Sequence, residues 1–89
     1  MPKVEFIVEI TDEVWNDLEI LTPKQQEKAF KIFRDMLSKN PFVGEKLLGR
    51  LEGNYSYRLT KKIRIIYGVN KDQKIIYIKK VKYHTAAYK

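Results

Sequence analysis

Apolar and polar positions change period about halfway along this chain. The segment VEFIVEI alternates over Val4 to Ile10, with Val4, Phe6 and Val8 on one side, which predicts a strand. Ile7 and Ile10 add apolar positions, so both faces of that strand are expected to be partly covered. Thr11 then stands as an N-cap, with Asp12 and Glu13 where a helix dipole favours negative charge. Ile10 and Trp15 take the staple positions around that cap. Val14, Trp15, Leu18 and Leu21 form an apolar stripe, so residues 12–20 are expected to be a short helix.

Thr22-Pro23-Lys24-Gln25 is the clearest local signal in the chain. Thr22 caps, Pro23 occupies the first helical position and Gln25 completes a capping box. Ala29, Phe30, Ile32, Phe33, Met36 and Leu37 recur at helical spacing, and Asn40-Pro41 ends the helix. Pro41–Gly44 reads as a linker, after which the period becomes two. Tyr55, Tyr57 and Leu59 alternate with Ser56 and Arg58, and Ile63, Ile65 and Tyr67 alternate with Arg64 and Ile66. Asn70-Lys71-Asp72-Gln73 is a turn cluster and Ile75 to Tyr83 a last strand, so residues 62–83 form a long hairpin. The predicted order is β-α-α-β-β-β: an α+β fold with an antiparallel sheet and a helical hairpin packed on one face.

Charge changes the picture. Residues 44–89 hold 12 Lys and Arg against Glu45, Glu52 and Asp72, whereas residues 1–43 hold 6 against 8. The net charge of +7 therefore belongs entirely to the second half, which also carries all six tyrosines and the single histidine. A basic surface interleaved with aromatics suits phosphate binding and base stacking, so RNA is the first partner to consider. The 89 residues are expected to form one domain. The absence of cysteine excludes a disulfide framework and a thiolate metal site, and a single histidine argues against zinc. The charged N-terminus does not resemble a signal peptide and no apolar run is long enough to span a bilayer, which points to the cytoplasm.

Metal-free RNA cleavage uses the 2′-hydroxyl as nucleophile and needs a base, an acid and cations on the phosphate. Glu45, His84, Arg58 and Arg64 offer those groups. Only four of the 18 basic residues are arginine, and Arg58 and Arg64 fall on successive strands, where planar guanidinium groups can grip a phosphate. Taken singly, each has a plainer reading. The arginines are solvated strand residues or pair with Glu52 and Asp72, and the histidine is a surface group. Tyr88 is placed to stack on a base or bind a phosphate, or else covers a sheet edge. Lys79, Lys80 and Lys82 form a cationic strand face that steers nucleic acid.

The string LxGxLxGNYSYRL, followed by KKIRIIYGV, KVKYH and a late tyrosine, resembles the RelE/ParE superfamily of toxins from type II toxin–antitoxin modules. The nearest branch is similar to YoeB. Glu45 in GEKLL, Arg58 in Ser56-Tyr57-Arg58-Leu59-Thr60, Arg64 in IRIIY and Tyr83-His84 match that branch's signature. The resemblance implies a ribosome-dependent endoribonuclease that cuts mRNA without a metal or other cofactor. In it Glu45 is the general base, Arg58 and Arg64 hold the phosphate, His84 is the general acid and Tyr88 completes the set. Lys46, Lys61 and Lys62 stand where catalytic or RNA-binding lysines occur in RelE-like chains. Thr85 follows the histidine and AAYK ends the chain, departing from the usual ending. The implied partners are a cognate antitoxin, the ribosome and mRNA. A ParE-like DNA gyrase inhibitor and a non-catalytic RNA-binding module share the same fold and stay open as alternatives.

Overall fold

A computed structural model describes residues 5–47, 49 and 53–83. Its elements run β1 (Ile7–Ile10), α1 (Asp12–Ile20), α2 (Pro23–Lys31), a π-helical segment (Ile32–Leu37), β2 (Glu45–Lys46), β3 (Asn54–Arg58), β4 (Ile63–Asn70) and β5 (Ile75–Tyr83). The sheet order is β1-β5-β4-β3-β2. The α+β class and the expected order of elements hold, with two refinements. β1 pairs with β5 in parallel, so the sheet is mixed rather than antiparallel throughout. A two-residue strand, β2, is added along the far edge against β3. The helices carry the chain from β1 to β2 at the far edge, and β3, β4 and β5 then return across the sheet until β5 lies parallel to β1.

The helix signals act as the residues dictate. The Thr11 hydroxyl accepts from the Val14 N–H, and Thr22 and Gln25 form a reciprocal capping box. The Gln26 amide donates to the Leu18 and Leu21 carbonyls, satisfying the end of α1 from within α2 and tying the hairpin together. The second helix does not continue as a regular α-helix. From Ile32 the ladder widens, with the Ser38 N–H reaching the Phe33 carbonyl at 3.2 Å, the i to i+5 spacing of a π-helix. Met36, expected in the apolar stripe, is left at the surface, where the Tyr57 hydroxyl meets its sulfur. Trp15 is also half exposed, its ring 5.6 Å from that of Phe30 and so bridging the two helices.

Strand alternation sorts the sheet into two faces. Ile63, Ile65 and Tyr67 of β4 and Ile76, Ile78 and Val81 of β5 point into the core, against Val14, Leu18, Ala29, Phe33 and Leu37. In β1, Phe6 (just before the strand), Val8 and Ile10 pack on that core while Ile7 stays 64 % exposed, so its outer face is not covered as expected. Among the described residues no helix lies on the opposite face, which is formed by Arg64, Ile66, Gly68 and Asn70 of β4 with Asn54, Ser56 and Arg58 beside them on β3. A β-bulge at Lys79 breaks the β4–β5 register between Ile66 and Tyr67. Beyond the end of β1, α1 replaces the missing strand partner. The Asp17 carboxylate accepts from the Val81 N–H at 3.1 Å, and the Lys80 ammonium lies 3.0 Å from Glu13 and 3.5 Å from Asp17.

One buried side chain fixes how the linker enters β2. Tyr67 is fully buried, its hydroxyl donates to the Pro41 carbonyl at 2.8 Å and accepts from the Gly44 N–H at 3.0 Å. Gly44 must be glycine for this approach: a Cβ there would lie 2.5 Å from the Tyr67 hydroxyl and 2.9 Å from the Ser56 carbonyl. The Tyr55 ring stacks on Tyr67 at 5.6 Å, and Phe42 meets Tyr55 edge-on at 5.7 Å. The chain leaves this clamp directly into Glu45. Burial pushes the Tyr67 hydroxyl from its ordinary value of 10.0 up to about 12, the Gly44 N–H opposing the shift.

Replacing Thr22 by Ala removes the capping box and is expected to cost about 1 kcal/mol, or about 4–8 °C in Tm, read by thermal unfolding. Tyr67→Phe strands the Pro41 carbonyl and Gly44 N–H and is expected to cost about 1–3 kcal/mol in chemical denaturation. A phenol raised in the folded state keeps its proton where the unfolded chain has lost it. Tyr67 therefore contributes stability that is complete below about pH 10 and disappears as the pH climbs through about 12. Unfolding curves across that alkaline window should be steeper in pH for the parent chain than for Tyr67→Phe.

Candidate active site on the open face of the sheet

Register brings three cations into one row across the uncovered face. Arg58 of β3 stands directly opposite Arg64 of β4, and Arg64 directly opposite Lys82 of β5. Like charges facing one another across strands are destabilising, so this row carries an electrostatic cost that a bound anion would relieve. Glu45 stands at the edge of the row. β2 sets it opposite Ser56, and its carboxylate lies 3.6 Å from the Arg64 guanidinium. Arg64 is the better sheltered of the pair, its side chain 24 % exposed against 75 % for Glu45.

Ser56 is the residue that sequence reasoning left out. Buried between Glu45 and Arg64, its hydroxyl receives a hydrogen bond from Arg64 Nη1 at 3.2 Å. Its place two residues before Arg58 was the available signal, because that spacing puts both on one face of a strand. Ser56 and Glu45 together orient the Arg64 fork, while Arg58 has no ion-pair partner among the described residues. The alternative pairing of the arginines with Asp72 does not occur among the described residues, and Glu52 lies outside them.

A tight turn joins the two arginine strands. The Thr60 hydroxyl accepts from the Lys62 and Ile63 N–H groups, and the Leu59 N–H reaches the Ile63 carbonyl at 2.9 Å. Lys61 and Lys62 are exposed at its tip, beside the Arg58–Arg64 pair. Lys46, opposite Tyr55, alternates to the other side of β2 from Glu45. Lys79 and Lys82 belong to the open face, but Lys80 departs from the expected cationic stripe. It is engaged with α1, where a hydrogen bond to Glu13 and then the Asp17 charge hold its ammonium above the ordinary lysine value. His84 and Tyr88 lie outside the described residues. Tyr83, immediately before His84, ends β5 opposite Ile63.

No protein-family model matches the chain. It is 38% identical over 90 residues to a protein of Methanocaldococcus jannaschii named "Putative toxin RelE1", an alignment covering 97% of this chain and 98% of the other. Its fold is similar to the toxin–antitoxin complex RelBE2 of Mycobacterium tuberculosis, with a TM-score of 0.83 and 26% identity over 91% of this chain and 100% of that one. The YoeB/ParE toxin of Agrobacterium tumefaciens shares the fold at a TM-score of 0.78 and 24% identity, over 90% of this chain and all of its own (100%). An α+β fold of this order, a basic open sheet face and a full-length relative converge: the chain belongs to the RelE/YoeB-like family of toxins from toxin–antitoxin systems.

Proposed function

We propose that this toxin is a ribosome-dependent endoribonuclease that cuts mRNA without a metal ion, as a single domain over residues 1–89. The observation that carries the reading is the juxtaposition of Arg58, Arg64 and Glu45 on one uncovered sheet face. Two guanidinium groups on adjacent strands suit the non-bridging oxygens of a phosphodiester, and a carboxylate 3.6 Å from one of them suits the neighbouring 2′-hydroxyl.

In this reading Glu45 takes the proton of the 2′-hydroxyl, whose oxygen attacks the adjacent phosphorus. Arg58 and Arg64 hold the charge that gathers on the phosphoryl oxygens. The bond from phosphorus to the 5′-oxygen breaks as His84 supplies that oxygen with a proton. The products are a 2′,3′-cyclic phosphate and a free 5′-hydroxyl. Tyr88 stacks on a base beside the scissile phosphate. Lys61, Lys62, Lys79 and Lys82 hold the RNA backbone, whereas Lys46, on the other side of β2 from Glu45, and Lys80, engaged by α1, contribute only to the surrounding field. A cognate antitoxin with an acidic or amphipathic segment would cover the same face. The toxin–antitoxin assembly of the M. tuberculosis neighbour supports such a partner.

Expression in growing bacteria with mapping of mRNA ends tests the assignment. The parent should arrest translation and leave cuts within ribosome-bound messages. Arg64→Ala, Glu45→Gln and His84→Gln should each slow cleavage by about 10²-fold or more. Undiminished cleavage by Arg64→Ala would remove the phosphate-binding role. DNA damage with accumulated gyrase–DNA complexes and intact mRNA would point instead to gyrase inhibition.

A further inference from the structure

Gly68 occupies an interior position of the central strand, where a glycine weakens the sheet because it loses more backbone freedom and packs no side chain. Neither backbone nor packing demands it. The positive-φ glycines among the described residues are Gly49 and Gly53, not Gly68. A Cβ at Gly68 would meet the ends of two flexible side chains, Asn54 Oδ1 at 3.0 Å and Lys79 Cε at 3.0 Å. Gly44 is the contrast, since a Cβ there runs into a backbone carbonyl and a clamped tyrosine. What glycine supplies at position 68 is room for the Asn54 and Lys79 side chains to close in over the strand, at the side of an open depression that all three residues line.

That depression is bounded by groups with a common chemistry. Asn54 of β3 and Tyr77 of β5 are the direct cross-strand partners of Gly68, so an amide and an aromatic ring flank a missing side chain on the open face. Lys79 is the extra residue of the β-bulge, and its ammonium lies 3.2 Å from the position a Gly68 Cβ would take. Bulges re-aim side chains, and this one turns a lysine over the hollow. Asn54 makes no side-chain hydrogen bond and Lys79 no ion pair among the described residues. The depression has a volume of about 560 Å³ and extends to Lys71 and Asp72 in the β4–β5 turn.

We propose that the hollow beside Gly68 is a nucleotide subsite for single-stranded RNA. Tyr77 stacks on the base, Asn54 hydrogen-bonds its edge and Lys79 takes a flanking phosphate. This deepens the nuclease reading and rests on it for the identity of the RNA as substrate. Gly68 is four residues along β4 from Arg64, or ~13 Å at strand rise, so the nucleotide held is a neighbour of the scissile one. The subsite is a determinant of binding and sequence preference, not of bond breaking.

Titration of the full 15N-labelled chain with a short RNA bearing 2′-fluoro groups, which cannot be cut, tests the subsite apart from the chemistry. The amides of Gly68, Asn54 and Tyr77 should shift on binding. Gly68→Val fills the hollow with a strand-favouring residue, and it and Tyr77→Ala should each weaken binding about tenfold. Tyr77→Phe should bind as the parent does, and Arg64→Ala should keep the Gly68 shift. Shifts confined to the surroundings of Arg58 and Arg64, with Gly68→Val binding like the parent, would overturn the subsite, as would the absence of any binding. Cleavage of ordinary RNA by the parent is scored separately. If it fails while the Gly68 shifts persist, the nuclease reading falls and the RNA subsite stands.

Discussion

The period-two alternation of β4 is the constraint on which both faces of this molecule depend. Ile63, Ile65 and Tyr67 fill the centre of the core, while Arg64, Ile66, Gly68 and Asn70 form the middle of the uncovered face. A one-residue slip of β4 against β3 would bury Arg64 and expose three of the best-packed side chains. The apolar half of the strand thus enforces the register that sets Arg58 and Lys82 on either side of Arg64. Charge concentration on one surface is a by-product of core packing on the other, and it is held at the electrostatic cost of neighbouring like charges.

Much of this was legible in the chain because it is written at short range. The caps at Thr11 and Thr22, the helix over residues 12–20 and the alternation around Tyr57 and Ile65 are all decided by residues within a few positions of one another. The arginine pair was legible for the same reason, since two strands joined by a short turn carry matching alternation. Glu45 was legible as a carboxylate just before the basic sheet, and the family resemblance set it apart from the solvated glutamates that spacing alone could not separate it from.

The rest depended on contacts between distant segments. The parallel pairing of β1 with β5 joins residues nearly seventy positions apart, and β1's own alternation is the same whichever direction its partner runs. The Tyr67 clamp joins a strand interior to a linker whose Pro and Gly read as punctuation and not as one end of a hydrogen-bonded anchor. Lys80 looked like one member of a lysine stripe, yet the bulge beside it turns its ammonium to the acids of α1. The widening of the second helix at Ile32 has no composition signal in the residues that form it.

The carboxylate of Asp17 on the Val81 N–H has a consequence for self-association. A strand that outruns its neighbour presents bare donors and acceptors on which a strand of another molecule can grow the sheet. β5 outruns β1 by several residues, and α1 occupies that margin with an acidic side chain and an ion pair. The far margin is a strand of only two residues, both charged. Lateral polymerisation is thereby discouraged at both rims, and the broad basic surface between them is left for a different kind of partner.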